Sequence, residues 1–288
     1  MILDVMKKRL FVLTLALGGF LLSACQNASE QSDEISSSSQ IESTSSSSEE
    51  VSSSVESSSS SEDTKAIWNV DTTQFGNMFR VTLENAIKAK RTTTTTYKNC
   101  LALGAKAAAY SEGSNTFVPF YHDETTTTTT ASCNREHTWP NSRGSGKNGP
   151  GADPFIIRPT LTSENSSRGN SFYGISSGEW DPAECGFEAS RGESARVILY
   201  AATAYYSSYK FELSNNPNDA TSKKTMGTLK TLLEWNKKYA PTKIEMQINN
   251  YLSDNGYGRN PFVDHPEYAN RIWNTSGIVS SEKDIESF

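Results

Sequence analysis

The sequence predicts an α+β domain of about 220 residues, occupying the chain from about Ala66 to its C-terminal end. Two observations predict the class. Apolar and aromatic side chains recur at i, i+3, i+4 spacing in several stretches, the mark of helices with one core-facing stripe. Between the first two of these stretches lies polar, Thr- and Gly-rich sequence with weak alternation, which favours extended chain. A third, the domain's length, is enough to bury a sizeable core.

In chain order, Phe75, Met78, Phe79, Leu83 and Ile87 define the first helix, with Thr72 or Thr73 available as its cap. The runs Thr92–Thr96 and Thr125–Thr130 are β-branched and read as extended. A second helix follows from Ala195, Leu199, Ala202, Tyr206 and Tyr209, and a third from Met226, Leu229 and Leu233. A short last helix is expected to start at Asp264, whose carboxylate could cap it, with Glu267 three residues on. Trp139 and Trp235 are read as core, and His265 as structural.

Two different materials precede the domain. Residues 1–24 read as a signal peptide: Lys7, Lys8 and Arg9 precede an apolar run from Phe11 to Leu22 that is too short to span a bilayer. The run ends in Leu22-Ser23-Ala24-Cys25, which looks like a bacterial lipobox. That likeness implies lipid on Cys25 and anchoring at the extracellular face of the bacterial cell membrane, against an ordinary signal peptide with an incidental cysteine. Residues 25–64 read as a tether: mostly Ser with scattered Glu and Asp, and no aromatic residue. Such a stretch cannot bury enough apolar area to offset its chain entropy, and its carboxylates repel one another. The domain proper is expected over 65–288.

The tether also accounts for the charge. The whole chain carries −6, the tether contributes nine acidic residues and no basic one, and the signal segment contributes a net +2. Removing both leaves about +1 for the domain, a balance that neither demands nor excludes nucleic acid. Three cysteines follow Cys25, namely Cys100, Cys133 and Cys185. An odd number leaves one thiol over if a disulfide forms, and no Cys-x-x-Cys spacing supports a structural zinc site. The presence of only His122, His137 and His265 argues against a multi-histidine metal centre.

The chemistry is concentrated in Cys133-Asn134-Arg135-Glu136-His137-Thr138-Trp139-Pro140. A carboxylate beside an imidazole offers one metal ligand and one general base, the two groups that phosphodiester hydrolysis needs. Neighbours on a regular strand face opposite sides, so Glu136 and His137 share a site only where the strand twists or ends. Taken alone the dipeptide is weak, since most such pairs are simple surface.

Further blocks lie downstream: Asp153 to Asn170, Arg191-Gly192-Glu193-Ser194-Ala195-Arg196, Leu232-Leu233-Glu234-Trp235-Asn236, and Arg259 to Glu267. With the Glu-His segment they resemble the endonuclease I family of secreted nucleases, over about residues 75–273. The resemblance implies a ββα-metal core of the His-Me finger type surrounded by helices. It further implies a metal-dependent endonuclease acting on DNA, and possibly RNA, with little sequence specificity. At matching positions it implies that Glu136 and Asn165 bind one divalent metal, Mg²⁺ with Mn²⁺ or Ca²⁺ also admissible, and that His137 activates water. One carboxylate and one amide oxygen leave room for the waters that Mg²⁺ keeps.

Arg168 is read either as a phosphate clamp or as an ion pair fixing the helix that carries Asn165. Arg143 or Lys147 would supply the arginine-type contact to the cleaved phosphate. Where family members often carry histidine after the residue matching Asp153, this chain has Phe155 and Ile156, which argues against a second catalytic histidine. Nucleic acid is the expected substrate partner, and no protein partner is implied. The main alternative is a non-catalytic binding or adhesion lipoprotein on a degenerate nuclease fold. A peptidase is remote, since no His-Glu-x-x-His or Gly-x-Ser-x-Gly occurs.

Overall fold

A computed structural model describes residues 67–273, Asp219 excepted. The expected signal segment (1–24), Cys25 and the tether (25–64) lie outside the described residues. Within them the architecture is α+β: nine helices, most of them short, around two two-stranded sheets. No described helix is long and apolar enough to cross a membrane.

Helix α1 (Gly76–Lys90) matches the first periodic stretch and buries Phe79, Leu83 and Ile87. Its start differs from expectation. Phe75 stands at the N-cap without a side-chain hydrogen bond, while Thr73 is held by the Asp71 carboxylate through both its N–H and its hydroxyl. Met78 and Phe75 fall on the solvent side. Helix α2 (Tyr97–Ala107) was not marked by periodicity; Thr96 caps it by accepting from Asn99 N–H. Strands β1 (Cys133–His137) and β2 (Ile157–Leu161) pair antiparallel, and α3 (Thr162–Arg168) follows β2 directly.

Helix α4 (Ser190–Ala204) is the hub. Fourteen of its 15 residues are buried, so it has no solvent face and packs on α1 and on α6 (Leu229–Lys238). The expected run to Tyr209 breaks at Tyr205, and Tyr206–Tyr209 form a separate turn, α5. Strands β3 (Glu212–Leu213) and β4 (Thr225–Met226) pair in parallel, so Met226 belongs to a strand and not to the third helix. Helix α7 (Lys243–Asp254) is capped by Thr242, and two short helices, α8 (Pro261–Asp264) and α9 (Tyr268–Trp273), close the described chain. Asp264 is not a cap: it takes both nitrogens of Arg259 and the indole N–H of Trp68, and Asn260 caps α8 instead.

Buried ion pairs link these elements. Arg196 on α4 donates twice to Glu245 on α7 at 2.6 Å, and Arg158 on β2 donates to Glu193 on α4 at 2.5 Å. Asp153 receives Arg91, Tyr200 and Tyr205 on one oxygen and the Phe155 N–H on the other. Trp139 stacks on Phe211 at 4.0 Å, and Trp139 and Trp235 are both buried as expected. His265 is buried and stacks on Tyr268 at 4.5 Å, which fits a structural role. Cys100, Cys133 and Cys185 are free thiols, and burial pushes them up to about 12, 11 and 12.

Because Arg196 has no exposed surface, Arg196→Met should strand the Glu245 carboxylate in the interior. A loss of about 3–5 kcal/mol is expected on breaking one side of such a pair. Urea unfolding followed by circular dichroism would measure it.

Candidate active site

Strand β1, an 19-residue connection over 138–156, strand β2 and helix α3 form one strand-strand-helix unit. The register sets Glu136 opposite Arg158 and His137 opposite Ile157, so Arg135 and His137 share one face of the pair and Glu136 points to the other. Helix α2 covers the Arg135–His137 face: a Cβ on Gly104 would stand 2.7 Å from Pro159 Cδ, so that glycine permits close helix-to-strand approach. The strand ends at His137, yet both residues still lie within the ladder, so the structure sets Glu136 and His137 on opposite faces of β1.

On the Glu136 face, the last residue of α3 reaches back to the strand. Arg168 Nη1 donates to Glu136 Oε1 at 2.5 Å and to the His137 carbonyl at 2.8 Å, and Nη2 donates to the Thr138 carbonyl at 2.8 Å. Its Nε goes to Ser171, and its guanidinium lies 4.5 Å from the Tyr173 ring centre. Of the two readings of Arg168, this geometry fits the ion pair, because the buried guanidinium is already engaged on four acceptors. Burial pushes the Glu136 carboxyl above its usual range, and Arg168 pulls it back down.

On the other face, His137 Nε2 lies 3.0 Å from the Gly146 carbonyl oxygen. A carbonyl only accepts, so Nε2 carries the hydrogen and Nδ1 of the neutral ring keeps its lone pair. Burial lowers the His137 pKa; the Gly146 hydrogen bond opposes this, and Lys147, Arg135 and Arg168 add to the lowering. The Gly146 carbonyl is aimed by glycine chemistry. Gly146 has φ +66°, and a Cβ on Gly151 would stand 2.0 Å from the Gly146 oxygen. Tyr97, the first residue of α2, sets its ring 5.0 Å from that of His137 and 4.6 Å from the Arg135 guanidinium.

The remaining sequence candidates are distributed as follows. Asn165 lies on α3 three residues before Arg168, hence on the same helix face, and its side chain has no hydrogen-bond partner among the described residues. Arg143 is half-buried: Nη1 donates to the Thr225 carbonyl at 2.8 Å, and its guanidinium lies 4.1 Å from the Phe172 ring centre. Lys147 is exposed, 5.7 Å from the Tyr97 ring centre. Phe155 and Ile156 are core residues. His122 pairs with Glu164, away from His137 in the hydrogen-bond pattern. Among the described residues no group of three or more His, Cys, Asp or Glu side chains could hold a metal ion. Sequence reasoning did not single out Tyr97, Arg135 or Gly146. Tyr97 is remote in sequence, and Gly146 acts through its backbone, which no residue type advertises.

Residues 75–267 match the family model described as Endonuclease I, and the chain belongs to that family. It is similar to the extracellular ribonuclease of Bacillus amyloliquefaciens, 32% identical over 155 residues covering 49% of this chain and 53% of the relative. The extracellular ribonuclease of Bacillus subtilis (strain 168) is 31% identical over 155 residues, 49% of this chain and 54% of the relative. The chain thus spans about half the length of these curated relatives. No solved structure matches it.

Gly151→Ala should displace the Gly146 carbonyl and release the His137 tautomer, at a folding cost of about 1–3 kcal/mol for the forced backbone shift. Imidazole ¹⁵N spectra should show an Nε2-protonated His137 in the parent and mixed tautomers in the variant.

Proposed function

We propose that this domain hydrolyses phosphodiester bonds of nucleic acid, with His137 as general base. The observation that carries the reading is the hydrogen bond from His137 Nε2 to Gly146, which fixes the ring with Nδ1 as the free acceptor. A water bound beside Nδ1 gives up its proton as it attacks phosphorus, and the bridging oxygen leaves on the opposite side. The lowered pKa of His137 keeps the ring neutral, and so able to accept, at ordinary pH.

Two side-chain oxygens carry the proposed site for a hard divalent cation: one from Glu136, a buried carboxylate whose other oxygen Arg168 holds, and the amide oxygen of Asn165, which has no hydrogen-bond partner among the described residues. Oxygen donors of this kind suit Mg²⁺, or Mn²⁺ or Ca²⁺. When bound, such an ion neutralises charge developing on the phosphate. Arg168 acts in this scheme as a positioning residue: it orients Glu136 and pins the carbonyls of His137 and Thr138. Arg143, anchored on Thr225, holds the connection between the strands. The strand-strand-helix unit that carries Glu136, His137 and Asn165 is read as a ββα-metal core.

Relatives named as extracellular ribonucleases support RNA as a substrate alongside DNA, and support export. With the lipobox likeness, the reading places the enzyme at the extracellular face of the bacterial membrane through lipid on Cys25. The purified chain should digest plasmid DNA and total RNA in Mg²⁺ and stop in EDTA. Digestion unaffected by EDTA would remove the metal from the scheme, and no digestion of either polymer would defeat the reading.

The roles separate by mutation. His137→Ala should lower the rate about 10²–10⁴-fold while Mg²⁺ affinity survives, whereas Glu136→Ala should lose both. Calorimetric titration beside a cleavage assay distinguishes them. The sign of the pH effect follows: the neutral base is lost as pH falls through the folded pKa. The acid limb of the parent's rate profile should therefore lie below about 6.5, the unperturbed imidazole value.

Cys25→Ala should release the protein from the membrane fraction or leave it unprocessed. Fractionation and migration like the parent's would refute lipid attachment there.

A further inference from the structure

Most arginines of the domain hold a carboxylate; among the described residues Arg135, like Arg143, does not. Arg91, Arg158, Arg168, Arg196 and Arg259 each hold a carboxylate. Arg135 holds none among the described residues: its guanidinium lies 4.6 Å from the centre of the Tyr97 ring, and its Nε is buried without an acceptor. An arginine fixed by stacking instead of by an anion keeps its planar fork oriented and its charge uncompensated. Its two terminal nitrogens are absent from the buried, unpartnered atoms, so they reach solvent. Lys147 brings a second cation with no ion-pair partner among the described residues, 5.7 Å from the same ring. Arg135 shares the His137 face of β1 two residues upstream, about 7 Å along the strand.

We infer that Arg135, oriented by Tyr97 and assisted by Lys147, binds the phosphate that flanks the scissile one on the substrate strand. The inference rests on the nuclease reading and adds the determinant that seats the polymer. A phosphodiester chain presents one anion per nucleotide, and two cations near the base, with no carboxylate paired to either among the described residues, match a second anion next to the one being cleaved. Guanidinium binds phosphate oxygens bidentately, which would fix the register of the strand over His137. The aromatic ring holds the fork in place without consuming its donors.

The test uses the full chain carrying His137→Ala, so that a fluorescein-labelled DNA duplex is bound in EDTA without being cut. Anisotropy gives Kd over a range of NaCl concentrations. Arg135→Gln should weaken binding about 10-fold at low salt and reduce the slope of log Kd against log[NaCl] by about 0.9, the loss of one phosphate contact. Lys147→Gln, at an exposed position, should also reduce the slope, and it carries the test alone if thermal melting shows that Arg135→Gln does not fold. Weaker binding with an unchanged slope would assign Arg135 a purely structural role and overturn the inference, as would unchanged binding in both variants. If the parent cleaves nucleic acid yet both variants bind like it, only this subsite falls. If the wild-type chain neither binds nor cleaves, the nuclease reading falls and the subsite with it.

Discussion

The guanidinium of Arg168 is the point on which the site depends. It is the last residue of α3, and from there it ties together the Glu136 carboxylate and the backbone of the next two residues. In one planar group it satisfies the carbonyls of a strand that has just ended, opposes the rise that burial imposes on the Glu136 pKa, and locks helix to hairpin. Without such a tie the end of β1 would have to find water for these acceptors. The interior position of Glu136 is tolerable only because the compensating charge is equally buried.

Around that tie, the connection over 138–156 works as shaped backbone. Asp153 collects one guanidinium and two phenol hydroxyls, which fixes the far end of the connection against α4 and α5's leading residue. The near end is fixed by Trp139, stacked on Phe211 and bonded to the Arg143 carbonyl. Between the two anchors, glycines allow the chain to turn a carbonyl toward His137. Rigid posts with a permissive middle place a hydrogen-bond acceptor where no side chain is needed.

How much of this was legible varies with its physical cause. Helices α1, α4 and α6 show in the spacing of their apolar residues, because each has a face to bury. Helix α2 did not, being short and built from small residues whose packing depends on Gly104 meeting Pro159. Strand β2 carries a proline and four buried residues of five, so it offers no alternation to read. Asp264 has the sequence of a cap, yet a tertiary partner, Arg259, takes its oxygens. Glu136, His137 and Asn165 were put forward through the ordered blocks that surround them, which carry the family match, and not through local chemistry. Tyr97 and Gly146 were not legible, since one acts across a long sequence separation and the other through a carbonyl.

The free thiols have a consequence for where such a domain can persist. Cys100, Cys133 and Cys185 form no bridge, so the described fold stands on buried ion pairs and a continuous apolar core. No disulfide among the described residues is open to reduction, so a reducing habitat leaves the covalent frame of that fold unchanged. The elevated thiol pKa values also keep the reactive thiolate scarce, so these sulfurs resist the stepwise oxidation that disables exposed cysteines.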